Sequence, residues 1–301
     1  MRKVLLATTA LVAFGGITAA NADISISGNY EWEYTQTDAG SAFSDDGHIN
    51  IKAVEAADNG MTFTAMTTFG GGTAANTTQN NYVKVDGDFG TVYLGNVDGN
   101  SAASLMDGAL GRNKDIEGQG GLGSETSDAG TADTAVFLDG GADIIYMSPS
   151  VGGLQIGFSA DLTDSDASAT DGAVDMAVTY SMAGVSLFAS STSGQAFDES
   201  NFGVSASLAG LNIGVGSRSE GGSSQAKSND VGVNYTLANG LKLAALSASG
   251  TGRDGTTKIK ASNFGASYSI VPGVKLNAES GVLTKAGVDS NYTWIAVNMS
   301  F

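Results

Sequence analysis

The sequence predicts an all-β fold, a 16-stranded antiparallel transmembrane β-barrel with one long external connection folded inward, on three observations. First, apolar residues alternate with polar or tiny ones, and this period-two pattern restarts roughly every 15 to 20 residues as far as Phe301. In one such run Leu154, Ile156, Phe158, Ala160 and Leu162 occupy one face, and Gln155, Gly157, Ser159, Asp161 and Thr163 the other. Side chains alternate across a strand, so each run has a dry and a wet side. Second, glycine occurs 43 times and proline twice. Closed sheets tolerate glycine where strands bend and exclude proline from the ladder. Third, no segment after residue 22 is apolar for the roughly 20 residues a membrane helix needs, so a membrane location implies spanning by strands.

The chain opens on a leader. Arg2 and Lys3 precede an apolar run from Val4 to Ile17, and Ala20-Asn21-Ala22 has the small-x-small form of a cleavage site. Residues 1–22 are therefore expected to be a cleaved secretory signal peptide, with the mature chain, 23–301, beginning at Asp23.

The first predicted strand, 23–36, carries Ile24, Ile26, Gly28, Tyr30, Trp32 and Tyr34 on one face. Strands at 47–57 and 61–69 flank the turn Asp58-Asn59-Gly60, a strong hairpin signal. The fourth and fifth, 80–86 and 90–97, flank a second glycine turn; the sixth and seventh, 142–149 and 153–163, are joined after Pro149. The second half is more regular, with strands at 173–181, 185–193, 200–209, 211–218, 229–237, 241–249, 259–270, 274–282 and 290–301. Tight joins (182–184, 210, 238–240, 271–273) alternate with longer polar ones (194–199, 219–228, 250–258, 283–289), the asymmetry of outer-membrane barrels. An even count places both termini at the short-turn end.

Val174, Met176, Val178 and Tyr180, then Phe202, Val204, Ala206 and Leu208, are expected to face lipid. The charges Asp161, Asp175, Lys275 and Glu279 all fall on the opposite, polar face. A charge on the lipid side near the midplane costs about 2 to 4 kcal/mol, whereas one in the lumen is solvated.

One connection breaks the rhythm. Residues 98–141, rich in Gly, Ser, Asp and Ala, are too many for an ordinary loop. A barrel of this width leaves an aqueous channel that wall side chains cannot fill, so the connection is expected to fold into the lumen and narrow it.

Composition excludes several functions. The formal net charge of −17 repels nucleic acid and offers cations a favourable field. Cysteine is absent, so no disulfide holds the fold. His48 is the only histidine, and no acid–base constellation surrounds it in sequence, so no enzyme activity is expected. Gly118, Gly120 and Gly123 match a dinucleotide fingerprint but lack its strand-then-helix context, and no cofactor is expected. Asp164, Asp166 and Asp171 crowd one external loop and suggest at most a weak divalent-ion site.

Several stretches resemble the trimeric general diffusion porins of Gram-negative outer membranes, especially the alphaproteobacterial type. Gly87-Asp88-Phe89-Gly90-Thr91-Val92-Tyr93-Leu94-Gly95 resembles the turn and strand leading into that family's third external loop. Ile144-Ile145-Tyr146-Met147-Ser148-Pro149, followed by Gly152-Gly153-Leu154, resembles the strand leaving it. The last strand, with Ile295, Val297, Met299 and Phe301 at alternate positions, is similar to the family's assembly signal.

The resemblance implies a homotrimer in the outer membrane, in contact with its lipid and lipopolysaccharide and inserted by the barrel assembly machinery. It also implies a water-filled channel passing small hydrophilic solutes and ions. The third loop would be the constriction, with acids Asp107, Asp115, Glu117, Glu125, Asp128, Asp133 and Asp139. Facing wall cations are Lys52, Lys84, Arg218, Lys242, Lys260 and Lys275, and the acid excess predicts modest cation preference. Residues 70–80 are positioned like the loop that latches onto a neighbouring subunit. A substrate-specific channel, with a solute site at the constriction, is the alternative on the same fold.

Overall fold

A computed structural model describes residues 22–72, 80–97, 100–116, 142–162, 172–194, 197–222 and 225–301. The expected leader but for Ala22, the core of the expected latch loop, the far part of the long connection and the Asp164, Asp166 and Asp171 cluster lie outside the described residues.

Sixteen strands form one closed antiparallel barrel, each paired with its neighbours in sequence. They are β1 (Asp23–Thr37), β2 (Gly40–Ala56), β3 (Thr62–Gly72), β4 (Asn81–Gly87), β5 (Gly90–Asn96), β6 (Ile144–Met147), β7 (Leu154–Ala160) and β8 (Val174–Met182). Then follow β9 (Val185–Ser193), β10 (Phe197–Leu208), β11 (Leu211–Gly222), β12 (Lys227–Thr236), β13 (Lys242–Thr251), β14 (Lys258–Val271), β15 (Val274–Lys285) and β16 (Val288–Ser300). The seam joins β1 to β16, from Asn29 opposite Ser300 to Thr37 opposite Tyr292. It is completed by the last residue: Gly28 N–H donates to the Phe301 carbonyl (2.9 Å) and Phe301 N–H to that of Gly28 (3.0 Å).

The alternation seen in sequence becomes two surfaces. Ile24, Trp32, Met176, Phe202, Val231 and Ile295 are exposed on the outside, while Asp175, Asn201, Asn234, Asn277 and Glu279 are buried against the lumen side of the wall. That is an apolar exterior around a polar interior.

Two expectations are corrected at the outer ends of hairpins. Residues 37–46 are not a loop: β2 begins at Gly40, and Phe43 packs on Tyr34 and Trp32 with ring centroids 4.9 and 5.5 Å apart. The expected long join at 283–289 is a two-residue turn, Ala286-Gly287, both with positive φ (51° and 84°). This is the twist-matched hairpin geometry. Both hairpins continue the ladder where each face is wet, and there period-two patterning no longer marks a strand.

Candidate functional site: the lumen and its inward loop

The connection between β5 and β6 enters the barrel. Ser101 caps a short helix, α1 (Ala102–Met106), in a reciprocal pairing with Ser104. The wall takes the remaining free amides: Ala102 N–H donates to Ser159 Oγ (2.9 Å) and Ala103 N–H to Asp175 Oδ2 (3.2 Å). Ser159 Oγ donates in turn to Asp175. At Gly157 a side chain would stand 2.5 Å from Met106 Sδ and 2.9 Å from Ala102 Cβ, so the absent Cβ makes room for the helix.

Beyond α1 a 3₁₀ turn, Gly111–Lys114, lies along β10 to β13. Arg112 N–H donates to Asp230 Oδ1 (2.8 Å), Asn234 Nδ2 to the Lys114 carbonyl (2.9 Å) and Lys242 Nζ to the Asp115 carbonyl (2.9 Å). A Cβ at Gly232 would overlap the Gly111 carbonyl. Lys242 opens β13 at the short-turn end, whereas Asp175 is near the other end of β8, so the segment descends through the barrel as it crosses the wall. Its apolar residues form small cores with the wall: Ala103, Met106, Ala109 and Leu110 meet Ala177 and Phe188, and Ile116 meets Ala244, Tyr292, Trp294 and Ala296.

Arg112, Arg218 and Arg253, the three arginines after residue 22, converge on one network. Arg218 is 1% exposed and lies between Glu199 (Nη2 to Oε2, 2.9 Å) and Glu220. Arg253 reaches Glu220 Oε2 from an external connection (3.5 Å). Arg112 Nη2 donates to Asn201 Oδ1 (3.1 Å), and Asn201 Nδ2 to Glu199 Oε1 (2.7 Å). Spacing in sequence gave no sign of this cluster, because its members lie on three strands and two connections.

Arg218 therefore faces the lumen side but is buried in ion pairs, so its expected place among open pore-wall cations is corrected. Lys260 is corrected too. It alternates with the buried Ile259 and Ala261, which puts it on the outer face. Lys52 faces inward beside Met66. Lys84 pairs with Asp86 (2.8 Å), which also accepts Thr91 Oγ1 (2.8 Å), and its Nζ lies 6.0 Å from the Tyr93 ring. Lys275 is half-buried and Lys242 tethers the loop.

Of the loop acids, Asp107 ends α1, and burial pushes its carboxyl above the usual range against the pull of Asn113, Arg112 and Lys114. Asp115 is buried at the wall. Glu117, Glu125, Asp128, Asp133 and Asp139 lie outside the described residues. Ile295, Met299 and Phe301 are exposed on the outer face, with Val297 half-buried in the same row. Tyr292 and Trp294 face inward but are buried, donating to Glu279 Oε1 (2.7 Å) and Glu33 Oε1 (3.1 Å).

No curated protein sequence matches the chain significantly. Among solved structures it is similar to the anion-selective porin from Comamonas acidovorans, with a TM-score of 0.73 and 15% identity over 93% of this chain and 100% of that one. A mutant of the Rh. blastica porin gives a TM-score of 0.71 at 18% identity, covering 93% and 100%. A loop-deletion mutant of OmpT, an outer membrane protein of Vibrio cholerae, gives 0.69 at 14%, covering 93% and 99%. At these identities the likeness concerns fold. Sequence supplies the family: the model for Gram-negative porins matches residues 7–288, nearly the whole barrel, and the chain belongs to that family.

Proposed function

We propose that this outer-membrane channel is a water-filled pore for passive diffusion of small hydrophilic solutes and ions, with 98–141 as its constriction. The supporting observation is the seating of residues 100–116 inside a polar-lined barrel, held by Ser159, Asp175, Asp230, Asn234 and Lys242. A loop anchored at this many points narrows the lumen by a fixed amount, and size and charge at that level then set what passes. No reaction is catalysed. Swelling of protein-loaded liposomes in a sugar series should fall smoothly with solute size; saturation by one sugar would favour the substrate-specific alternative.

Modest cation preference belongs to the same reading. The arginine network balances Arg112, Arg218 and Arg253 against Glu199, Glu220 and Asp230, and Lys84 is matched by Asp86. Among the described residues Glu31, Glu33, Asp46, Asp107, Asp115, Asp161 and Asp175 on the lumen side then outnumber Lys52, Lys114, Lys242, Lys275 and Lys285. Reversal potentials in a salt gradient across a planar bilayer should show cations favoured, and zero or anion-selective values would refute the charge argument.

The functional unit on this reading is a homotrimer exported through cleavage before Asp23. Its last strand, with Ile295, Val297, Met299 and Phe301, serves as the assembly signal. N-terminal sequencing and heat-modifiable migration in detergent gels test the processing and the oligomer.

A further inference from the structure

Of the nine tyrosines, Tyr82, Tyr93 and Tyr292 lie on inward rows of the barrel. Tyr292 is buried, whereas Tyr82 on β4 and Tyr93 on β5 are half-buried and turn the rest of their rings to the lumen. The two rings meet edge to face, with centroids 5.3 Å apart and planes at 75°. Both pack on the cluster of Val97, Ala102 and Ile145 at the root of the inward loop. The ladder sets them on the row that anchors α1: Tyr93 is opposite Ile145, Ile145 opposite Ser159 and Ser159 opposite Asp175, the last two being the acceptors of that helix. On α1 itself Ala102, Ala103 and Met106 are buried, and Leu105 is exposed.

Most polar groups around the rings are engaged with one another. Tyr82 Oη donates to Met66 Sδ (3.2 Å), Thr68 Oγ1 to Asn50 Oδ1 (2.6 Å) and Thr91 Oγ1 to Asp86 Oδ1 (2.8 Å). Lys84, whose Nζ lies 6.0 Å from the centroid of Tyr93, is paired with Asp86 (2.8 Å). Lys52 differs. It is exposed on the lumen side of β2, opposite Met66, and Met66 is opposite Tyr82. Among the described residues it takes part in no ion pair. Strand spacing puts the Cα atoms of Lys52 and Tyr82 about 10 Å apart. The patch therefore leaves open one ammonium beside two ring faces and a thioether. A sugar finds few uncommitted donors and acceptors here to replace its bound water, whereas a flat ring carrying one negative charge meets both features.

We propose that the lumen wall of β2 to β5 binds aromatic carboxylates, with the carboxylate at Lys52 Nζ and the ring against Tyr82, Tyr93 and Met66. The proposal rests on the channel reading for the passage of solutes and names one solute class that is retarded on the way. A hydrogen bond to a charged group corresponds to about tenfold in affinity and an aromatic pair to about fivefold. Two such contacts make a weak site, which holds a solute and still releases it, as conduction requires.

The test measures binding to the purified protein in a nonionic detergent by saturation-transfer NMR, with benzoate, cyclohexanecarboxylate, benzamide and gluconate as probes. Benzoate should bind about fivefold more tightly than cyclohexanecarboxylate, which lacks the aromatic face, and about tenfold more tightly than uncharged benzamide. Lys52→Met should remove the preference over benzamide, and Tyr93→Leu the preference over cyclohexanecarboxylate. Lys52 is exposed, so the result for its variant stands even where Tyr93→Leu fails to assemble. Equal affinity for benzoate and cyclohexanecarboxylate, or benzoate binding unchanged by Lys52→Met, would overturn the proposal. Gluconate competing as well as benzoate would overturn the aromatic assignment in favour of sugar acids. Planar-bilayer recording separates the site from the channel: benzoate should lower the open-pore conductance over the range in which it binds. Conductance with no benzoate binding would sink the site alone, and benzoate binding with no conductance would count against the channel while leaving the site standing.

Discussion

At Arg218 a guanidinium buried between Glu199 and Glu220 holds two carboxylates that have no water to solvate them. Removing one partner of such a cluster typically costs about 3 to 5 kcal/mol, whereas replacing the whole set by apolar or neutral groups is far milder. Arg218→Met should therefore lower the melting temperature of the barrel markedly, and adding Glu199→Gln and Glu220→Gln should recover most of it; thermal denaturation followed by circular dichroism measures both. Gly232 offers a second test. Gly232→Val would overlap the Gly111 carbonyl, lift the 3₁₀ turn and expose Arg112 and Lys114 to trypsin, while the unsubstituted loop should resist cleavage there. Asp107 gives a pH dependence. Its carboxyl is held above its ordinary value of 3.8, so its contribution to loop seating is complete below that value and is lost as pH rises through the folded-state value. Amides of 102–116 should exchange more slowly at pH 4 than expected from the intrinsic pH effect, and Asp107→Asn should abolish the difference.

Single hairpins show what patterning reveals and what it conceals. Every one of the sixteen strands was legible from period-two alternation, because each must present an apolar side to lipid where it crosses the membrane. Strand ends beyond that zone were not. Ser41, Ser44, Asp45 and Asp46 read as loop although the β1–β2 ladder runs through them, since hydrogen bonding between backbones does not require an apolar face. The inward course of the long connection followed from its length, but its anchors did not. Ser159, Asp175, Asp230 and Asn234 look like ordinary polar wall positions until the fold brings Ala102, Ala103, Arg112 and Lys114 against them. Lys260 was misplaced for want of register, since a slip of one position reverses a side chain's face. The turns also carry a prediction. Ala286 adopts φ 51°, a region that disfavours any Cβ, so Ala286→Gly should stabilise the β15–β16 hairpin by up to about 1 kcal/mol, seen as a small rise in melting temperature.

The molecule as a whole is a closed wall with a segment seated inside it, and the proposed function gives the two separable roles. Deleting 102–140 and bridging the gap with a short Gly/Ser linker should leave the strand ladder intact and raise both single-channel conductance and the size limit in liposome swelling. An unchanged conductance would show that the lumen is narrowed elsewhere. Closure has a different consequence, in time instead of space. The seam pairs Gly28 with Phe301, so β1 waits for residues made more than 270 positions later before its outer edge is satisfied. Until then the sheet has two open borders, each able to pair with a stranger. The polypeptide must therefore be kept from ordering during synthesis, and loss of Phe301 alone would leave the ring one rung short at the place where sequence separation makes closure slowest.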